Sequence, residues 1–322
     1  MKTNIPDYDI TAVRVTGYRK KKEGLPCEDS YSFAYVKDSV ILAVADGHGD
    51  PKCVYAASGA RIAAAAAIRV LTSYVEKMRR ASPSRYFAKN RDAIGFEIAL
   101  AFRHAALRHY AKCHPTALPA SLETLDELIE TAPFGEIGRI VGKEDEAHKK
   151  RRELAEWLDA MALCYGTTLR ASVIGPDYVF SLAVGDGDTV ALLQSGKTVW
   201  LLPKGESYDT STYSMCYPTN RLVECMSFSL IQRRVNLRDQ DCYDLKGVVL
   251  STDGLRNSFV DDELFADFIR SVLEEKDSRC ERSLRRRLET LTRNSVYGDD
   301  ITLLLAPLSV FTPDLTRDDD LW

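Results

Sequence analysis

The sequence predicts an α+β fold of antiparallel strands with helices packed on them, and three observations carry the prediction. Apolar runs of strand length gather near the start of the chain and again past its middle, with joins too short for a parallel crossover. Between the two groups lies a stretch of helical character, opened by the alanine run Ala63 to Ala67, whose small side chains let a helix lie close to a sheet. With 322 residues, 45% hydrophobic and 28% charged, the chain is large enough to bury a substantial core.

Taken in order, strands are expected at 11–15, 31–36 and 40–45. A helix is expected at 54–80 and, after a break at Ser82-Pro83-Ser84, a second at about 92–112. The Glu-, Lys- and Leu-rich stretch 114–163, broken by Pro115, Pro119 and Pro133, reads as two further helices forming an insertion or an elongated helical layer. The period then returns to two at 168–174, 178–184, 190–194 and 198–202, read as one antiparallel meander. The polar, tyrosine-rich residues 203–221 suggest a flap beside a site. A strand at 247–251, helices at 261–275 and 278–293, a last strand at 301–305 and an acidic tail at 313–322 complete the reading. One domain over residues 1–312 is expected to hold these elements.

Composition narrows the function. The net charge of −4 gives no global attraction to nucleic acid or anionic lipid, in spite of the local run Arg19-Lys20-Lys21-Lys22. No signal segment and no membrane-length apolar stretch is visible, so a cytoplasmic protein without nucleic-acid or membrane partners is expected. The eight cysteines are scattered and contain no CxxC pair, which favours reduced thiols over zinc or disulfides.

Three apolar strands run into the same dipeptide: Val44-Ala45-Asp46-Gly47, Val184-Gly185-Asp186-Gly187 and Ser251-Thr252-Asp253-Gly254. A fourth is entered through Gly298-Asp299-Asp300-Ile301-Thr302. One Asp-Gly is most simply a turn, but carboxylates converging from several strand ends would repel one another severely without cations. All-oxygen donors suit magnesium or manganese, and two such ions about 3.5–4 Å apart support attack of water on phosphorus. His104, His109 and His114 recur every five residues, about 140° apart on a helix, and so form no metal face.

With Cys27-Glu28-Asp29, Val44 to Gly49, Gly166-Thr167-Thr168, Val184 to Gly187, Ser251 to Gly254 and Asp299 to Thr302 in this order, the chain resembles the metal-dependent serine/threonine protein phosphatases of the type 2C class, in particular their compact bacterial branch. The resemblance implies a four-layer αββα sandwich of two antiparallel sheets flanked by helices. It implies two Mn2+ or Mg2+ ions, with a third, weaker one in many bacterial members. Asp46 then bridges the ions, the Gly47 carbonyl, Asp253 and Asp299 are further ligands, and Asp186 belongs to the third site. Glu28, Asp29 and Thr168 hold metal-bound waters, and His48 protonates the leaving alkoxide. Two positions depart from the family pattern: Asn257 stands where several relatives have a third-site aspartate, and Gly24 where they have a phosphate-binding arginine, a role that passes to Arg19 or a neighbouring lysine.

The expected reaction is hydrolysis of phosphoserine or phosphothreonine in a protein by a metal-bridging water, without a phosphoenzyme, opposite a serine/threonine kinase acting on the same target. The competing readings are a catalytically silent partner-binding member of the fold and a hydrolase of small phosphoesters.

Overall fold

The computed structural model describes residues 9–78, 82–116, 146–204, 212–233, 243–274 and 280–308. In chain order the elements are β1 (Thr11–Val15), α1 (Tyr18–Glu23), β2 (Ser30–Val36), β3 (Ser39–Ala45), α2 (Ala56–Lys77), α3 (Pro83–Cys113) and α4 (Glu146–Leu163). They continue with β4 (Leu169–Ile174), β5 (Tyr178–Val184), β6 (Asp188–Leu193), β7 (Thr198–Trp200), α5 (Thr219–Cys225) and β8 (Ser227–Gln232). The last are β9 (Leu245–Ser251), α6 (Asp253–Arg256), α7 (Asp262–Glu274), α8 (Glu281–Asn294) and β10 (Ile301–Pro307).

Two five-stranded sheets result, in the orders β1-β10-β9-β6-β7 and β2-β3-β4-β5-β8. Every neighbouring pair is antiparallel. Strand β3 explains the layering. Its sequence Ser-Val-Ile-Leu-Ala-Val-Ala is buried throughout, as a strand covered on both faces must be. Val40, Leu42 and Val44 point into the layer between the sheets, against Val248 and Leu250 of β9 and Leu304 and Ala306 of β10. The alternate residues Ile41, Ala43 and Ala45 join the outer layer with Ala60, Ala63, Ala64 and Ala67 of α2. On the far side, Phe265 and Ile269 of α7 and Leu284 and Leu288 of α8 cover Val13, Val190, Val249 and Leu303. The order is helix, sheet, sheet, helix, as expected.

Several elements differ from the expectation. Helix α3 starts at Pro83 instead of near 92, because proline fits the first helical turn, where its missing N–H costs nothing. The run 168–202 is not one meander: β4 and β5 lie in one sheet and β6 and β7 in the other. The chain crosses between sheets at Gly185 and Gly187, whose φ angles of 80° and 101° suit glycine. Helix α5 and strand β8 add to the expected elements; β8 is only partly buried along its length and carries a weak apolar signal.

Of the expected 114–163 insertion, α4 is in place, while residues 117–145 lie outside the described residues, as do 205–211 of the expected flap and the tail 313–322. Among the described residues no helix is long and apolar enough to cross a membrane, and the seven described cysteines are free thiols.

Candidate metal centre and catalytic cleft

The site is assembled where β3, β9 and the approach to β10 end together. At the end of β3 the backbone of Asp46 is clamped to the start of β4: its carbonyl accepts the Thr168 amide (2.9 Å) and the Thr167 hydroxyl (2.7 Å), and its own amide donates to Thr168 Oγ1 (3.1 Å). The carboxylate is buried within reach of the charges of Asp29, Asp253 and Asp299. The next residue has no room for a side chain, since a Cβ on Gly47 would stand 2.8 Å from the Glu28 carbonyl oxygen. Asp253 opens α6 directly after β9. A Cβ on Gly254 would stand 2.0 Å from the Asp300 carbonyl oxygen, so the Asp253-Gly254 turn presses against the Asp299-Asp300 segment entering β10.

Asp29 is 1% exposed; its Oδ2 accepts the Thr252 hydroxyl (2.8 Å), while its Oδ1 is buried without a hydrogen-bond partner. Asp253 repeats the pattern, with Oδ2 accepting Asn257 Nδ2 (2.9 Å) and Oδ1 buried and unpartnered. Crowding shows in the acidities. Burial, then the charges of Asp29 and Asp253, holds the Asp46 carboxyl well above the usual carboxylate range. Burial and Asp300 push Asp29 up to about 7, against the Thr252 hydrogen bond. Burial and Asp186 push Asp253 up to about 6.

These groups fit divalent cations. The donors are all oxygens, two of the buried oxygens are unpartnered, and the charges of Asp29 and Asp253 raise Asp46 while those of Asp186 and Asp299 raise Asp253, a repulsion that positive charge relieves. The ligand set is not closed: among the described residues no three acidic, histidine or cysteine groups meet at one metal position. Asp299 Oδ1 instead accepts the Asp300 amide at 2.8 Å.

Around this centre stands a clamp built on Lys20 and Asp300. Asp300, 1% exposed, accepts the amides of Gly17 (2.7 Å) and Glu28 (2.8 Å) and the Lys20 ammonium (2.8 Å). Lys20 Nζ also reaches Glu28 Oε2 at 2.8 Å. Burial alone would lower the Lys20 pKa, but the hydrogen bonds to Asp300 and Glu28 outweigh it and raise it. The basic run 19–22 therefore divides. On helix α1, Lys20 turns inward, Lys21 reaches Glu289 (3.1 Å), and Arg19 donates to the Val296 carbonyl (2.7 Å). Arg19, the expected phosphate ligand, is thus occupied at an exposed backbone carbonyl, because helical spacing turns neighbouring side chains to different faces. Sequence reasoning gives Asp300 no role; the signal that points to it is the doubled carboxylate Asp299-Asp300 at the mouth of a strand.

His48 lies half-buried beside this cluster, its amide donating to the Gly166 carbonyl (3.0 Å). Burial lowers its pKa, partly opposed by Asp186 and Asp50. Asp186, on the crossing between sheets, acts electrostatically on both His48 and Asp253. Asn257 supplies an amide donor to Asp253 where a carboxylate would have supplied charge. Of the histidines on α3 and at its end, His109 Nδ1 pairs with Tyr165 Oη (2.7 Å) and His114 Nε2 with Tyr55 Oη (2.5 Å).

The profile of the protein phosphatase 2C family matches residues 16–291, a span that ends before Asp299. Among solved structures, the serine/threonine phosphatase PstP/Ppp of Mycobacterium tuberculosis matches over 93% of this chain and 98% of its own, at 14% identity and a TM-score of 0.51. Stp1 of Staphylococcus aureus matches over 94% and 95%, at 16% identity and a TM-score of 0.50. The catalytic domain of PstP in complex with two manganese ions matches over 93% and 97%, at 16% identity and a TM-score of 0.50. At these identities the likeness is one of fold. No curated protein matches the chain in sequence. With the profile spanning most of its length, the chain belongs to the protein phosphatase 2C family.

Proposed function

We propose that this chain is a metal-dependent serine/threonine protein phosphatase, acting through one catalytic domain on phosphoproteins made by a serine/threonine kinase in the cytoplasm. The observation that supports it most directly is that the charges of Asp29 and Asp253 bear on the buried Asp46 carboxylate, with one buried, unpartnered oxygen on each of Asp29 and Asp253. Asp46, the Gly47 carbonyl, Asp253 and Asp299 would hold two Mn2+ or Mg2+ ions, and Asp186 would contribute to a weaker third position. Two divalent cations supply charge neutralisation at the phosphate and a water acidic enough to attack phosphorus near pH 7.

The chain's own residues do the rest. Asp29, fixed by Thr252, and Glu28, fixed by Lys20, present carboxylate oxygens that accept hydrogen bonds from the attacking water and set its orientation. Thr168 anchors the Asp46 backbone, so the central carboxylate is held by two neighbouring strands. His48 takes up a proton as the phosphate dianion enters and delivers it to the serine or threonine oxygen as the ester bond breaks. The role of Lys20 is to hold Glu28 and Asp300 in place, since both carboxylates already engage its ammonium.

The test is Mn2+-dependent hydrolysis of p-nitrophenyl phosphate and of a phosphoserine peptide by wild type and Asp253→Ala, with nucleotide and sugar phosphates alongside. Metal-dependent release from the peptide that Asp253→Ala abolishes supports the proposal. Equal rates in the two proteins, no turnover with metal bound, or preference for the small phosphates overturns it.

A further inference from the structure

Arg170, near the start of β4, is 2% exposed. A guanidinium buried this deeply is costly unless its N–H groups are used. Two of its three nitrogens are used, chiefly on the crossing at Gly185 and Asp186, while Nη1 is buried without a hydrogen-bond partner. Nε donates to the Asp186 carbonyl (3.1 Å), and Nη2 lies 3.4 Å from the Gly185 carbonyl and 3.5 Å from that of Pro203. The turn is fitted around it: a Cβ on Gly187 would stand 3.2 Å from Arg170 Nε and 2.7 Å from the Ser251 carbonyl oxygen.

The surrounding charges extend the brace. Buried Asp188, two residues past Asp186, accepts Trp200 Nε1 (2.9 Å) and lies 3.3 Å from Arg256 Nε. Arg256 sits on the helical turn that Asp253 opens. The Asp186 turn and the Asp253 turn are thus linked through Asp188, which ion-pairs with Arg256 of the Asp253 turn while Arg170 holds the Asp186 backbone.

We propose that Arg170 is a positioning residue for Asp186: by gripping the backbone where the chain crosses between sheets, it sets the placement of the Asp186 carboxylate against Asp253. The inference rests on the metal-dependent reading above. Arg170 touches neither substrate nor reacting atoms; it acts through Asp186.

The experiment is a double-mutant cycle on the full chain, with Arg170→Met, Asp186→Ala and the pair, read by calorimetric Mn2+ titration and by kcat and KM on a phosphopeptide. Arg170→Met is expected to weaken the weakest Mn2+-binding event about tenfold or more, as loss of an orienting partner does, and to leave the tightest event within about threefold. In the Asp186→Ala background the same change is expected to alter binding less than about twofold, because the group it positions is gone. Arg170→Lys, which keeps the charge and one donor, should restore part of the lost binding. The inference is overturned if Arg170→Met leaves Mn2+ binding unchanged, or if it costs as much in the Asp186→Ala background as alone. If Arg170→Met does not fold, the same cycle with Arg170→Lys applies the same criterion. A wild type that binds no Mn2+ and hydrolyses nothing refutes the function itself, whereas an active wild type with additive variants refutes only the positioning role.

Discussion

Replacing Asp253 by asparagine should stabilise the metal-free protein and at the same time remove its stabilisation by metal. The Asp253 carboxyl titrates at about 6 in the folded protein, against 3.8 ordinarily, because burial and Asp186 disfavour the charged form. For an acid raised on folding, stability is fully present below the unfolded value and is lost as pH climbs through the folded value. A shift of about two units, at about 1.4 kcal/mol per unit, makes the ionised carboxylate cost on the order of 3 kcal/mol at pH 8. By pH 5 the cost is about half of that. The substituted side chain carries no charge, and its amide oxygen can accept the Asn257 amide in place of the carboxylate. Urea unfolding in a chelator should therefore rank the variant above wild type at pH 8, with a smaller gap at pH 5. Saturating Mn2+ should reverse the ranking, since wild type gains about 3 kcal/mol at a hundredfold excess over Kd. A metal-free variant less stable than wild type at pH 8, or equal Mn2+ stabilisation of both, would show that Asp253 is neither a strained carboxylate nor a metal ligand.

The same geometry sets the outcome of four further substitutions. Lys20→Met leaves the buried Asp300 carboxylate without its cation and should cost about 1–3 kcal/mol in urea unfolding at pH 7. Adding Asp300→Asn should recover part of this loss, whereas Arg19→Met should stay within about 0.5 kcal/mol and leave KM unchanged. His48→Ala should lower kcat on a phosphoserine peptide by about a hundredfold or more and much less on p-nitrophenyl phosphate, whose leaving group needs no proton. A loss equal on both substrates in steady-state assays would remove His48 from that role.

Much of the site is legible in the sequence because it sits where apolar periodicity stops. The run Ile41 to Ala45 ending in Asp46-Gly47 reports burial on both faces followed by a turn, both local properties. Which sheet a strand joins is not local. The run 168–202 reads as similar apolar strands on both sides of the Gly185–Gly187 crossing, and only long-range pairing sends β6 to β9 while β5 stays with β4. Lys20 and Arg19 differ in function by one helical step, invisible until α1 is known to be a helix. Asp300 and Arg170 escape for a related reason: in sequence one is the second of two carboxylates before a strand and the other a single charge within one, and only the fold shows what each one grips.

The Asp300 clamp joins residues very far apart along the chain. Gly17, Lys20 and Glu28 meet a carboxylate about 270 to 280 positions later, and β1 pairs with β10 from Thr11↔Leu305 to Val15↔Ile301. Closing so long a loop is entropically costly and comes late in folding. A growing polypeptide on the ribosome therefore carries Asp46 and Asp253 well before it carries the support for Glu28. On the proposed metal-dependent reading, a product cut short before Asp299 lacks a metal ligand and the support for Glu28, and is expected to be inert however much of its core has formed.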